Sequence, residues 1–193
     1  MARTRQFDEQ RVLDRGMALF WRQGFEATSI QDLVEAAGIN RASMYATFGD
    51  KRGLFIAVLD HYLERVNGER LAILARPGSP LAAIAAFFES IIDASQGPEK
   101  HLGCLITNTL TELAPGDPEI AAKLRAGLER VEHAFVQAIR RAQDIGEIPP
   151  DRNARSLARF LVGVAQGVRV LARSGIPAAR LREIATVART ALR

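Results

Sequence analysis

The sequence predicts an all-α fold of nine helices, on three observations. Val, Ile, Thr and aromatic residues nowhere alternate with polar ones over five or more positions, so strand signals are almost absent. Fifteen glycines and eight prolines cut the 193 residues into pieces of helical length. Within those pieces apolar residues recur every three or four positions. At 48% apolar and 25% charged, the chain has the composition of a globular protein with a real core.

The first helix is expected from Asp8 to about Gln23, with Asp8 as cap, Phe7 stapled onto Val12, and Gly24 as stop. Leu13, Met17 and Phe20 carry its periodicity. The second spans about Ser29–Ala37, opened by a capping-box pattern at Thr28–Gln31 and closed by Gly38. The third spans about Arg41–Phe48, capped by Asn40 and stopped by Gly49. A fourth starts at Asp50 and heads for Ala75, with a bend or early end expected at Asn67-Gly68.

Pro77-Gly78-Ser79-Pro80 reads as a linker. An Ala/Phe/Ile-rich buried helix follows over Leu81–Ser95, then a short one over Gly103–Leu113. Asp117-Pro118 opens a long helix whose stripe is Leu124, Leu128, Val131, Phe135 and Ile139. Gly146 ends it, and Pro149-Pro150 forms a second linker. Asp151 or Asn153 starts a helix ending at Gly175, and Pro177 opens the last.

No apolar run reaches the ~18–20 residues that span a bilayer, and no secretory leader is visible. The lone Cys104 rules out an internal disulfide framework. A cytoplasmic protein without a membrane partner is the expectation. The formal charge of +4 and a pI near 9.8 are compatible with nucleic-acid binding. Charge alone does not mark a domain, since residues 1–55 hold eight Lys/Arg against seven Asp/Glu.

Thr28–Leu54 has the length and punctuation of a DNA-reading helix-turn-helix. Gly38 can take the positive φ of the turn, while Ile39, Met44 and Phe48 can face inward. That leaves Arg41, Ala42, Ser43, Tyr45 and Ala46 on an outer arc without an acidic residue, as a helix lying between phosphates requires. The run Ala37–Phe55, approached through Phe20, Gly24-Phe25 and Ala27-Thr28-Ser29-Ile30, resembles the signature of the TetR family of bacterial transcriptional repressors.

That resemblance implies a homodimer that binds a palindromic double-stranded DNA operator and is released by a small-molecule effector. It implies a DNA-binding domain over residues 1–55 and a ligand-binding and dimerisation domain over 56–193. Carried over by position, Thr28, Tyr45 and Lys51 would hold phosphates, and Arg41, Ala42 and Ser43 would approach base edges or phosphates. Arg3 and Arg5 would form a basic arm. Ala42 and Ala46 offer only methyl contacts, so direct readout leans on Arg41.

In the short helix, Leu102, Ile106, Leu110 and Leu113 form one stripe, and Cys104, Thr107, Asn108 and Thr111 an uncharged polar one. The polar stripe is expected to line a ligand cavity with Phe88 and Phe135; the alternative is a helix packed on both sides. Cys104 lies near Lys100, His101 and a helix N-terminus, all of which favour a thiolate. Gly103-Cys104-Leu105 resembles a subgroup of the family, some members of which sense electrophiles or oxidants. A thiol-based sensor is therefore one alternative.

On the last two helices Leu157, Phe160, Leu161, Val164, Val168 and Leu171, with Gly163 and Gly167, read as half of a four-helix dimer interface. Leu181, Ile184, Ala188 and Ala191 mark the last helix. The three histidines lie on separate segments without metal-ligand spacing, and no phosphate-binding glycine loop is present. No catalytic residue, metal or cofactor is expected, and the chain reads as a non-enzyme. A helical small-molecule carrier without DNA function is the alternative of another class.

Overall fold

The structure is a computed structural model that describes residues 8–97, 100 and 102–193. Phe7, Arg3, Arg5 and His101 lie outside the described residues, and so do the staple and basic-arm readings placed on them. Among the described residues there are nine helices and no strand. They are α1 (Glu9–Gln23), α2 (Ile30–Ala37), α3 (Arg41–Phe48), α4 (Lys51–Leu74), α5 (Pro80–Ala94), α6 (Leu105–Glu112), α7 (Pro118–Asp144), α8 (Ala154–Arg173) and α9 (Ala178–Thr190).

The helix starts follow local chemistry. Asp8, Asn40, Asp50, Ser79, Asp117 and Asn153 each accept a backbone N–H of the first turn. One expectation shifts by a residue. The capping box is formed by Ser29 and Asp32, not Thr28 and Gln31. Ser29 Oγ accepts from Asp32 N, and Asp32 Oδ2 accepts from Ser29 N at 2.8 Å. An aspartate does there what a glutamine does in the usual pattern.

The early end expected for α4 is not found. The Asn67-Gly68 pair does not interrupt α4, which runs unbroken for 24 residues. Asn67 is buried among neighbouring helices, and that packing outweighs the ~1 kcal/mol that an interior glycine costs. α6 is also shorter than expected. Gly103, at φ +69°, and Cys104 precede it instead of forming its first turn.

Two apolar clusters organise the molecule. One joins α1, α2, α3, the first half of α4, α6 and the start of α7 around Phe20, Met44, Phe55, Tyr62 and Leu124. The other joins the end of α4, α5, α7, α8 and α9 around Phe87, Phe135, Ile139 and Leu161. α4 and α7 thread both clusters, and at their crossing Gly127 lies against Leu63 so closely that an added Cβ would stand 2.6 Å from Leu63 Cδ2.

Candidate DNA-reading head and ligand cavity

Gly38 takes the left-handed conformation (φ +68°, ψ +32°) that turns α2 into α3. Met44 is fully buried, with Ile39 and Phe48 packed partly against the same cluster. The outer face of α3 carries Arg41, Ala42, Tyr45, Ala46 and Thr47, all exposed, with Ser43 half-buried beside them. Tyr45 is 43% exposed, high for a large aromatic residue. Arg41 is steadied by Gln31 of α2, whose Oε1 accepts from its guanidinium at 3.1 Å, while Gln31 in turn donates to Glu35.

Two phosphate-holding expectations meet a different geometry. Thr28 is only 1% exposed, and its hydroxyl donates to the Gly24 carbonyl at 2.6 Å. Its side chain therefore ties the α1–α2 turn, because a buried hydroxyl must find an acceptor. Lys51 sends its ammonium back to the carbonyls of Phe25 (2.9 Å) and Thr28 (3.0 Å) and lies over the Phe25 ring at 4.2 Å. Two of its three donors thus lock α4 to the same turn, leaving one for an outside acceptor.

The head is joined to the rest of the chain by polar contacts at both ends of that turn. Glu112, the last residue of α6, accepts from Glu26 N at 2.9 Å. Arg52, next to Lys51, forms a bidentate pair with Asp117 and reaches Glu119 at 2.8 Å. Asp117 also accepts the first backbone N–H groups of α7; together with Arg52 these outweigh desolvation and hold its carboxyl below the usual aspartate range. Asp14 of α1 pairs with His61 (2.8 Å) and Arg65 of α4. Trp21 of α1 donates from Nε1 to the Leu102 carbonyl at 3.2 Å.

The polar stripe of α6 does not line one cavity. Thr107 Oγ1 donates to Gln166 of α8 at 2.6 Å. Asn108 donates to the Leu102 carbonyl and accepts from Arg173 of α8 at 2.8 Å. Thr111 is exposed and bonds back to its own helix. Two of the four stripe residues, Thr107 and Asn108, thus bond to α8, although Asn108 and Thr111 also border an open recess with Arg173 and Gly24. Phe88 and Phe135 are closed core, stacked on each other, and Phe87 meets both edge-on, its ring centroid 4.9 Å from that of Phe135.

Cys104 is 2% exposed under Tyr62, whose hydroxyl is 3.6 Å from Sγ. Burial raises the thiol pKa. The Arg169 guanidinium, hydrogen bonds from Thr107 and the Tyr62 hydroxyl outweigh that and leave it below the usual thiol range. The charged neighbour that favours the thiolate is Arg169, distant in sequence. Burial drives Tyr62 the other way, to a raised phenol pKa.

A cavity of about 130 Å³ does exist, beside that group and off the expected stripe. Trp21, Arg70, Ile91, Ala94, Ser95, Lys100, Gly103, Arg169 and Ala172 form its wall. Sequence reasoning missed Arg70 and Arg169, since an arginine inside a long helix reads as solvated surface.

Two interface expectations are also corrected. Val168 and Ala188 are buried in their own subunit's core, so they have no surface left to offer a partner. Phe160 and Gly167 are exposed, and Val164, Leu171 and Ile184 half-buried, along the outer side of α8 and α9. Val170 and Val187, exposed by 53% and 66%, extend that face and were not singled out from the sequence. Among the described residues no group of three or more His, Cys, Asp or Glu stands close enough to hold a metal ion.

An all-helical chain with a helix-turn-helix head on a larger helical body defines the class of one-component DNA-binding regulators. A family model described as bacterial regulatory proteins, tetR family, matches residues 12–58, and one described as tetracyclin repressor-like, C-terminal domain, matches residues 80–190. The HTH-type transcriptional repressor ComR of Escherichia coli (strain K12) is 37% identical over 184 residues, covering 95% of this chain and 88% of that protein. The HTH-type transcriptional regulator YezE of Bacillus subtilis (strain 168) is 38% identical over 162 residues, covering 83% and 84%. A solved structure of a cysteine mutant of the TetR family transcriptional regulator CifR, complexed with 26-bp double-strand operator DNA, superimposes with a TM-score of 0.86 at 31% identity, covering 99% of this chain and all of that one. The chain belongs to the TetR family of bacterial transcriptional regulators.

Proposed function

We propose that this chain is a ligand-responsive transcriptional repressor that binds a palindromic operator as a homodimer and is released by a small-molecule effector. The observation that carries this reading is the outer face of α3, an exposed helix surface with Arg41 and Tyr45 and no acidic side chain. A helix of that kind can enter the major groove without repelling the flanking phosphates. CifR, similar along its whole length, was solved on operator DNA. Arg41, Ala42 and Ser43 address bases or phosphates, Tyr45 holds a phosphate, and Lys51 contributes its one free donor. The Thr28 side chain serves the turn.

The working division is a DNA-reading head over residues 1–55 and an effector and dimer body over 56–193. The division is functional, because the head's apolar cluster continues into α4, α6 and α7. Two copies join through the outer side of α8 and α9. The protein acts in the cytoplasm. No helix among the described residues is long and apolar enough to cross a membrane. A buried Cys104 favours a non-covalent effector over a thiol sensor.

Purified protein should recover genomic fragments sharing a palindrome with half-sites about one helical turn apart. Anisotropy of a labelled fragment should show affinity falling log-linearly with salt. A salt-independent signal, or equal affinity for random duplex, refutes DNA recognition.

A further inference from the structure

The cavity between α1, α4, α5 and α8 has an unusual wall. Arg169 is 6% exposed, and among the described residues no carboxylate or other acceptor stands within hydrogen-bonding reach of it. Arg70 and Lys100 line the same space, and no described lining residue is acidic. The rest of the wall is mostly apolar, from Trp21, Ile91, Ala94 and Ala172, with Ser95 and Gly103 beside them. One turn back on α8, the Gln166 amide nitrogen is buried without an acceptor, its oxygen already taken by Thr107. Buried charges are paired or hydrogen-bonded as a rule, since an unpaired one forfeits its hydration with nothing in return. Three cations line one space, and no described residue of its wall is acidic, which suits a site whose anion arrives from outside.

We propose that this cavity is the effector site and that its ligand is a small organic carboxylate, held by Arg169 with Arg70 and Lys100. The inference rests on the reading of the chain as a ligand-responsive repressor and names the chemistry of the effector. The size agrees. At about 130 Å³ the cavity approaches the ~150 Å³ of an engineered protein cavity that takes benzene. The apolar half distinguishes an organic acid from inorganic phosphate, which offers no surface to Trp21 or Ile91. A guanidinium and a carboxylate match as planar partners, with parallel N–H···O bonds.

The position suits transmission. Trp21 belongs to α1 of the head and meets Tyr62 of α4 edge-on at 5.2 Å. Arg70 lies on the same α4 whose first residue, Lys51, is bonded to the α1–α2 turn. A ligand that draws Arg70 toward Arg169 of α8 moves α4 relative to the body, and α4 carries the head. Differential binding of this kind typically amounts to an affinity change of about 5–150-fold.

Trp21 is the chain's one tryptophan, so its fluorescence reads the cavity directly. The full-length protein is titrated with sodium butyrate, sodium benzoate and inorganic phosphate at matched ionic strength, with chloride as control. Operator affinity is followed in parallel by anisotropy. At least one carboxylate is expected to change Trp21 fluorescence saturably and to weaken operator binding about tenfold or more, with phosphate and chloride inert. R169Q is expected to raise the carboxylate concentration at half-saturation about tenfold or more. Its folding is checked by circular dichroism; should R169Q not fold, R70Q and K100Q carry the same expectation. No response to either carboxylate, an equal response to phosphate, or unchanged titration in the variants overturns the proposal. Absence of operator binding in every condition instead overturns the repressor reading, so the two failures are distinct.

Discussion

At the scale of single residues, the reading head rests on few side chains. Ala42 and Ala46 have only methyl groups to offer, and Thr28 and Lys51 are engaged within the protein. Arg41 is the one long cation on the outer face of α3, and Gln31 pre-orients it at 3.1 Å. Pre-orientation lowers the rotamer entropy lost when the guanidinium meets a guanine edge. Replacing Arg41 by alanine should weaken binding to the selected operator by about 1–3 kcal/mol and relax specificity at one position per half-site. Competition between the operator and single-base variants checks this. A uniform loss across all variants would assign Arg41 to phosphate.

At the scale of helices, α4 is the mechanical link, and its two glycines have opposite roles. An alanine Cβ at Gly53 would fall 1.9 Å from the Phe48 carbonyl oxygen. The turn between α3 and α4 therefore closes onto that position, and the chain needs glycine there. Gly68 has nothing within 4 Å of an added Cβ and normal helical backbone. Gly68→Ala should thus stabilise the protein by about 0.5–1 kcal/mol by reducing the freedom of the unfolded chain. Gly53→Ala should destabilise it by about 1–3 kcal/mol, since backbone has to move. Urea denaturation of both variants is the check, and two changes of the same sign would be inconsistent with this account.

At the scale of the whole molecule, the outer side of α8 and α9 leaves apolar side chains uncovered among the described residues. Phe160, Val170 and Val187 are exposed there, and Gly163 and Gly167 leave open space above the helix. Grouped apolar side chains beside small residues are what close helix–helix association uses. An added Cβ at Gly163 meets no described atom within 4 Å beyond its own helix backbone, so a side chain can start outward from there. Gly163→Arg should therefore turn a dimer into a monomer at micromolar concentration while leaving the subunit's helical content unchanged, as read by sedimentation and circular dichroism. Dimers that persist in the variant would place the interface elsewhere.

The sequence by itself determined the helix count, most helix starts and the identity of the reading head. Those features depend on local chemistry: a capping aspartate or asparagine, a glycine in a turn such as Gly38, and apolar stripes at helical spacing. It erred where long-range packing decides. Asn67-Gly68 looks like a break until neighbouring helices bury Asn67 and α4 continues through it. Thr107 looks like pocket lining until α8 supplies Gln166 as its partner. Val168 and Phe160 belong to one stripe by spacing, yet only Phe160 retains a free surface. Arg169 shows most clearly what tertiary structure alone decides. Nothing local distinguishes it from a solvated arginine; only the packing of α8 against α5 removes it from water, at a cavity that Arg70 also lines, and that burial is what gives the cavity its charge.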